Sequence, residues 1–226
     1  MKIKINFTYT IFVLIIVAGL LFNSNTTFGK VPKTKKHNSK VTTKKQKLIN
    51  ESLKKLKTYL MGFDGISFDL ISAKKTTFAS TQKTSNIFSN EFLKEKLLSN
   101  ILVWLGTPYR MGGTSKSGVD CSNFVAQIIR QTLSINFPAN AERQSKLFVP
   151  IKNIDELSFG DLIFFSGRNK KSKRIGHVGI YLGNGIFAHS STGKGVIITH
   201  ISESYYSERF RFGGKLSYEH LNIVSN

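Results

Sequence analysis

The sequence contains a single cysteine, Cys121, among its 226 residues. One cysteine excludes an intrachain disulfide framework and any zinc site that is built on several thiolates. Arginine is absent from residues 1–100, and no long apolar run recurs along the chain. The second absence excludes a membrane protein with several spans. Apolar residues make up 40% of the chain, which is enough for the core of one ordinary domain with appendages.

The formal charge of +20 is concentrated in the first half of the chain. Residues 1–100 hold 18 Lys and 5 acidic residues, a net charge of +13, whereas residues 101–226 carry +7. Residues 30–57 contain eleven Lys and one acidic residue, which favours a solvated, flexible linker. The alternative is an arm that binds anionic wall polymer or lipid head groups. No aromatic residue interleaves these lysines, so nucleic acid is not a predicted partner.

Residues 1–29 are typical of a secretory signal peptide. Lys2 and Lys4 precede an apolar run at residues 11–22, which is shorter than a membrane span. We expect cleavage after Gly29, with an uncleaved membrane anchor as the alternative. The predicted location is therefore the cell envelope or the exterior. Residues 30–89 are expected to be a Lys-rich linker and a poorly defined N-terminal region.

Residues 90–218 are predicted to form one α+β domain, followed by a tail at residues 219–226. Asn90 and Glu91 mark a helix start, and Gly106 ends that helix. A second helix begins at Cys121, with Asp120 as a capping residue. Period-two alternation and short apolar runs then predict strands at residues 162–165, 175–182, 186–189, 196–201 and 209–212. Helices followed by strands predict N-terminal helices packed on an antiparallel sheet.

Cys121 lies at a predicted helix N-terminus, where the partial positive charge lowers a thiol pKa. A small buried hydrophobe is the alternative interpretation of a lone cysteine. A thiolate nucleophile needs a base, and the base needs an orienting partner. His177 and His189, which lie on two consecutive predicted strands, are the candidates for these roles. Gly176 and Gly179 are expected to leave room for the helix that carries Cys121.

The turn between these strands decides whether the two histidines meet. A three-residue loop at residues 183–185 pairs Leu182 with Ile186 and puts both imidazoles on one face, as diagonal neighbours. A two-residue loop puts them on opposite faces. A metal site of Cys121, His177 and His189 is the competing interpretation, but no further cysteine or acid stands at ligand spacing nearby. The predicted metal content is none.

Several blocks in order resemble the NlpC family of bacterial cell-wall cysteine peptidases. They are LGTPYRMGG at residues 105–113, DCS at 120–122, FGDLIFF at 159–165, GHVGIYLGNG at 176–185 and FAHS at 187–190. The resemblance covers about residues 90–216. Asn123 departs from the family pattern, which usually has Gly after the DCS block. Residues 23–89 match no wall-binding repeat.

The resemblance implies a papain-like domain that hydrolyses peptidoglycan stem peptides, typically at the γ-D-glutamyl to diamino-acid bond. It implies Cys121 as the nucleophile, His177 as base and then acid, and His189 as the residue that fixes the His177 ring. Cys121 and His177 are expected to form an ion pair. No metal or organic cofactor is implied.

The resemblance also places Tyr109 near the thiol, and Asp120 and Ser122 along the substrate groove. Two other functions remain open at this point. One is a thiol amidase that acts on a different wall bond, and the other is a catalytically silent wall-binding protein.

Overall fold

A computed structural model describes residues 37–64 and 86–217. Its helices are α1 (His37–Asp64), α2 (Glu91–Trp104), α3 (Cys121–Leu133), α4 (Ala141–Ser145) and α5 (Ser204–Ser207). Its strands are β1 (Thr114–Ser115), β2 (Gly118–Val119), β3 (Leu162–Ser166), β4 (Ile175–Gly183), β5 (Ile186–Ser191), β6 (Gly195–His200) and β7 (Phe210–Gly214). The predicted signal segment and the C-terminal tail at residues 219–226 lie outside the described residues.

Strands β3 to β7 form one antiparallel sheet in the order β6-β5-β4-β3-β7. Successive side chains point to opposite faces of a strand, and both faces of this sheet are covered. Phe164, Val178 and Ala188 belong to the main core, which also contains Phe124 of α3. Phe165 and Phe187 belong to a second core on the other face. The α+β architecture with helices on an antiparallel sheet is therefore confirmed.

Helices α2 and α3 begin at the residues that the sequence indicates. The Asn90 side chain accepts the N–H of Leu93, and the Asp120 side chain accepts the N–H of Asn123. Each bond satisfies one of the N–H groups that a helix start leaves without a partner. Helix α2 ends at Trp104, and Gly106 follows with a φ of +73° that suits glycine. These caps place Cys121 as the first residue of α3.

Residues 37–57 of the segment expected to be a flexible linker belong to the helix α1 (His37–Asp64). Ile49, Leu53 and Leu56 recur at helical spacing and pack against the main core. Ser52 on the same stripe is buried, and its hydroxyl oxygen accepts the N–H of Ile198 in β6. Strand β6 is an edge strand whose free N–H groups need partners, so α1 covers an edge of the sheet. Lysines on the other side of α1 remain exposed.

The turn between β4 and β5 differs from the expected three-residue loop. Gly183 pairs with Ile186 across a two-residue turn, Asn184 and Gly185, which both have positive φ (+46° and +73°). A bulge at Leu182 adds one residue, so Tyr181 still pairs with Phe187. The bulge restores the register of the longer loop, and His177 and His189 share a face after all.

The domain begins a few residues before the predicted boundary at residue 90. Asn86 bridges Ser217, while Ile87 and Phe88 are buried. The buried Asp161 carboxylate accepts N–H groups from Ser158 and Leu216 and from the Asn86 side chain. This carboxylate therefore ties both ends of the domain to the start of β3. Within residues 37–64 and 86–217, no helix is both long and apolar enough to cross a membrane.

Candidate active site

Cys121 lies where the start of α3 meets β4. The backbone N–H groups of Val178, Ser122 and Cys121 itself lie near its Sγ and lower the pKa of the thiol. Val178 follows His177 on β4, so the thiol lies against the strand that carries the candidate base. The N–H groups of Cys121 and Ser122 belong to the first turn of α3 and have no acceptor within that helix. These two N–H groups can therefore donate hydrogen bonds to a negative charge on or near the sulfur.

Asp120 organises the loop that precedes the thiol. Its Oδ1 accepts the Asn123 N–H at 2.8 Å and the Ser122 hydroxyl at 2.9 Å. Its Oδ2 accepts the Gly112 N–H at 2.9 Å and the Asn123 side-chain amide at 3.0 Å. Both oxygens thus have two donors, and Ser122 is buried. The structure gives Asp120 and Ser122 a role in positioning the loop, and their contact with substrate stays a prediction.

Asn123, which departs from the family pattern, is explained by this network. Its side chain is 9% exposed and donates a hydrogen bond to Asp120, which is the second hydrogen bond between Asn123 and the capping residue. Glycine cannot make this bond because it has no side chain. The sequence flagged the position as unusual, but only the packing shows its partner.

The protonation states of the thiol and imidazole follow from burial. Burial and the Asp120 charge raise the pKa of Cys121 to about 11, and the three N–H donors oppose that rise. Burial lowers the pKa of His177 to about 4. Burial therefore disfavours the charged form of each group by itself. Burial by itself thus favours a neutral thiol and a neutral imidazole, and the expected ion pair stays a prediction.

The two histidines contact each other directly, which the bulged register allows. The Nε2 atom of His177 lies 2.9 Å from the Nδ1 atom of His189. This bond leaves the Nδ1 atom of His177 as the nitrogen that can take a proton from a thiol. In the tautomer that leaves Nδ1 free, the Nε2–H group of His177 donates a hydrogen bond to the Nδ1 atom of His189. The predicted neighbours thus have the geometry of a base and its orienting partner.

Aromatic rings hold His189 in place. Its ring is stacked on Phe187 with centroids 4.8 Å apart and meets Tyr206 edge-to-face at 5.0 Å. His189 is 0% exposed, and its Nε2 atom has no hydrogen-bond partner among the described residues. Burial and the His177 charge hold its pKa well below the usual range, so it stays neutral. Sequence reasoning missed Tyr206, because α5 reaches this site only through the tertiary fold.

Tyr109 lies beside the thiol loop, as the matching motif implied. It forms a bridge to Val119, and Arg110 donates its N–H to the Val119 carbonyl at 3.3 Å. Burial raises the pKa of Tyr109, and charges on Cys121 and Asp120 contribute to the rise. The phenol is therefore close enough to both groups to respond to their charge.

The glycines of β4 serve a different purpose from the one expected. A Cβ on Gly176 would lie 2.5 Å from the Cα of Gly167, and one on Gly179 would lie 2.7 Å from the Phe187 ring. Gly176 thus admits the neighbouring strand, and Gly179 admits the side chains that support His189. Across residues 37–64 and 86–217, no three His, Cys, Asp or Glu side chains are grouped closely enough to hold a metal ion.

Comparison with known proteins adds an independent observation. The NlpC/P60 family matches residues 106–214, which contain Tyr109, Cys121, His177 and His189. The probable endopeptidase NlpC homolog of Haemophilus influenzae is 39% identical over 123 residues, which are 54% of this chain and 63% of that protein. The murein DD-endopeptidase MepS/murein LD-carboxypeptidase of Escherichia coli K12 is 35% identical over 132 residues, 58% of this chain and 68% of that protein.

A solved structure supports the fold. A protein from Staphylococcus aureus Mu50, described as similar to lipoprotein, NLP/P60 family, superposes with a TM-score of 0.54 at 22% identity. The superposition covers 62% of this chain and 45% of the other. The matched region is thus about two thirds of the two sequence relatives and under half of the solved chain. The shared sequence, the fold and the Cys121 loop with its histidine pair lead to one conclusion: this chain belongs to the NlpC/P60 family.

Proposed function

We propose that the protein is an exported cysteine endopeptidase that hydrolyses peptidoglycan stem peptides at the γ-D-glutamyl to diamino-acid bond. The observation that carries the proposal is the Cys121 thiol at a helix start beside β4, where the Nε2 atom of His177 lies 2.9 Å from the Nδ1 atom of His189 on β5. Both sequence relatives are named endopeptidases, and one is named for murein. A substrate in the cell wall requires a location in the cell envelope, which agrees with the predicted signal segment.

Attack begins from the neutral pair. The Cys121 thiol gives its proton to the Nδ1 atom of His177 while the sulfur attacks the γ-glutamyl carbonyl carbon. The carbonyl π electrons move to oxygen, so a tetrahedral oxyanion forms together with an imidazolium. Because burial disfavours each charge by itself, we expect proton transfer and attack to be closely coupled.

The start of α3 supplies donors for that oxyanion. The N–H groups of Cys121 and Ser122 belong to the first turn of α3 beside the sulfur, so we expect them to donate to an oxygen one bond beyond the attacked carbon. The helix dipole adds partial positive charge at the same place. Asp120 keeps these donors in position because it caps the helix and holds the loop.

The remaining steps return every group to its starting state. His177 donates its proton to the leaving amine as the C–N bond breaks, which leaves a thioester on Cys121. Water then gives a proton to His177 and attacks the thioester carbonyl. The second tetrahedral intermediate expels the sulfur, which regains the proton. The Nδ1 atom of His189 accepts a hydrogen bond from the Nε2–H group of His177 throughout and thereby fixes the ring.

The test is digestion of purified muropeptides with mass analysis of the fragments. We expect cleavage at the γ-D-glutamyl bond by the wild type and none by the Cys121→Ala variant. Full cleavage by that variant would refute the thiol mechanism. Fragments from a different bond would instead support the second candidate, another thiol amidase. That candidate is favoured by the name of the Escherichia coli relative, which gives DD-endopeptidase and LD-carboxypeptidase activities.

A further inference from the structure

A basic groove lies beside the candidate active site, between α1 and two loops of the domain. It has a volume of about 710 Å³. Lys44 and Lys45 of α1 line one side, and Lys116 lies in the loop between β1 and β2. The turn after β5 contributes Lys194, and Tyr109 is also part of the lining. We call this feature the lysine groove.

The lysine groove has positive charge and no matching negative charge. Its described lining includes Lys44, Lys45, Lys116 and Lys194 and no acidic residue. Among the described residues, none of these ammonium groups is in an ion pair, although the structure has ion pairs elsewhere. Like charges at close quarters repel each other, so the groove is a site where an anion would relieve that repulsion.

Lys116 shows the effect of this crowding. Its ammonium lies 3.7 Å from the centroid of the Trp104 ring and donates to the Val103 carbonyl at 2.8 Å. These contacts fix the charge in place. Burial and the Lys45 charge lower the pKa of Lys116 to about 8. A bound anion would raise the pKa of Lys116 again, because it would supply an opposite charge next to the ammonium.

Close packing fixes α1 and its lysines at the rim of the groove. A Cβ on Gly106 would lie 2.9 Å from Ile49 and 3.0 Å from the Lys45 side chain, so α1 comes very near the backbone there. On the opposite side, Val196 donates its N–H to the Thr107 carbonyl at 2.8 Å. The lysines of α1 and of the turn after β5 are therefore held against the same loop.

The lysine groove is continuous with the catalytic loop. Tyr109 lines the groove and bridges Val119, the residue two positions before Cys121. The turn that carries Lys194 follows β5, the strand of His189. An extended peptide whose scissile carbonyl lies at Cys121 would thus run past Tyr109 into the groove.

We propose that the lysine groove binds a free carboxylate that the substrate peptide carries away from the scissile bond. This inference rests on the proposed function, because it takes the substrate to be an acidic stem peptide. The lysines act as point charges that draw the carboxylate toward the groove before reaction. They make no contact with the reacting atoms, so the groove contributes to substrate affinity rather than to the chemical step.

The experiment compares kinetics on two synthetic peptides with the same γ-D-glutamyl to diamino-acid bond. One peptide keeps its outer carboxylates, and the other has them as amides. The full chain is assayed as wild type, as Lys45→Gln with Lys194→Gln, and as Lys57→Gln with Lys171→Gln. The last pair makes the same charge change at exposed lysines outside the groove, one of them on α1.

We expect the wild type to have a lower KM for the carboxylate peptide than for the amide, with similar kcat. The groove variant should raise KM for the carboxylate peptide roughly 5- to 10-fold, because two partly exposed charge pairs are lost. It should leave KM for the amide unchanged. High salt should reduce the preference of the wild type. The control variant should behave as the wild type.

Two results would overturn the inference while the proposed function stands. One is a groove variant that still distinguishes the two peptides, and the other is an equal rise in KM for the control variant. If the wild type cleaves neither peptide, the proposed function fails. Binding of both peptides to the Cys121→Ala variant, with and without the groove substitutions, then tests the groove by itself. Equal affinity for carboxylate and amide peptides would refute it.

Discussion

Substitution of His189 tests whether the histidine pair organises the reaction. The Nδ1 atom of His189 lies 2.9 Å from His177, and His189 is fully buried. In the His189→Ala variant the Nε2–H group of His177 loses its acceptor on the side where it faces the buried position 189. An unsatisfied buried donor costs about 1–3 kcal/mol. If that cost appears in the transition state, kcat/KM should fall roughly 5- to 150-fold, since about 1.4 kcal/mol is one factor of ten.

The His189→Asn variant is the matched control. Both substitutions remove the ring that stacks on Phe187 at 4.8 Å, so both should lower the free energy of unfolding. Only asparagine retains a carbonyl oxygen that can accept from His177. We expect kcat/KM on muropeptides to recover in part with asparagine and not with alanine. A folded His189→Ala variant with the kcat/KM of the wild type would refute the orienting role.

Three further predictions concern charge and packing. Because folding raises the pKa of Asp161 from 3.8 to about 6, the folded state binds this proton more tightly than the unfolded state. The free energy of unfolding should therefore fall by up to about 3 kcal/mol as pH rises from about 4 to 7. In urea titrations of the Asp161→Asn variant, this fall with pH should be absent. The Ser52→Ala variant should lose about 1–3 kcal/mol of stability, because the N–H group of Ile198 loses its acceptor. The control variant Thr58→Ala, at an exposed position of α1, should change stability little in the same titration. Equal losses in both variants would contradict the role of α1. Since the pKa of Cys121 is raised to about 11, the rate of alkylation by iodoacetamide should still increase above neutral pH, and a rate that levels off below neutral pH would indicate an ion pair instead.

Local signals were sufficient for most of the domain. The caps Asn90 and Asp120 are where the sequence indicates, because a capping side chain bonds to N–H groups only a few residues away. The strand predictions were also close, since alternation of side chains is a local property. The short strands β1 and β2 and helix α4 were missed, because they contain two to five residues each and have no measurable period.

Helix α1 could not be predicted from local signals alone. Its apolar stripe is present in the sequence, but lysines dominate the composition and favour a solvated segment. The stripe is stabilised by the free edge of β6, which is distant along the chain. Most helical stability in proteins comes from such packing rather than from intrinsic propensity. Part of the segment expected to be a linker is therefore helical where a partner surface exists.

The sequence by itself determined the identity and order of the candidate catalytic residues, because motif spacing and helix and strand signals are local. It also indicated the cysteine at a helix start. Only the tertiary structure decided how the two histidines meet, since a bulge at Leu182 replaced the expected loop. Tertiary burial likewise raises the pKa of Cys121 and lowers that of His177, which the helix-start position alone did not indicate. The lysine groove arises for the same reason, as lysines from three separate segments converge only in the folded chain.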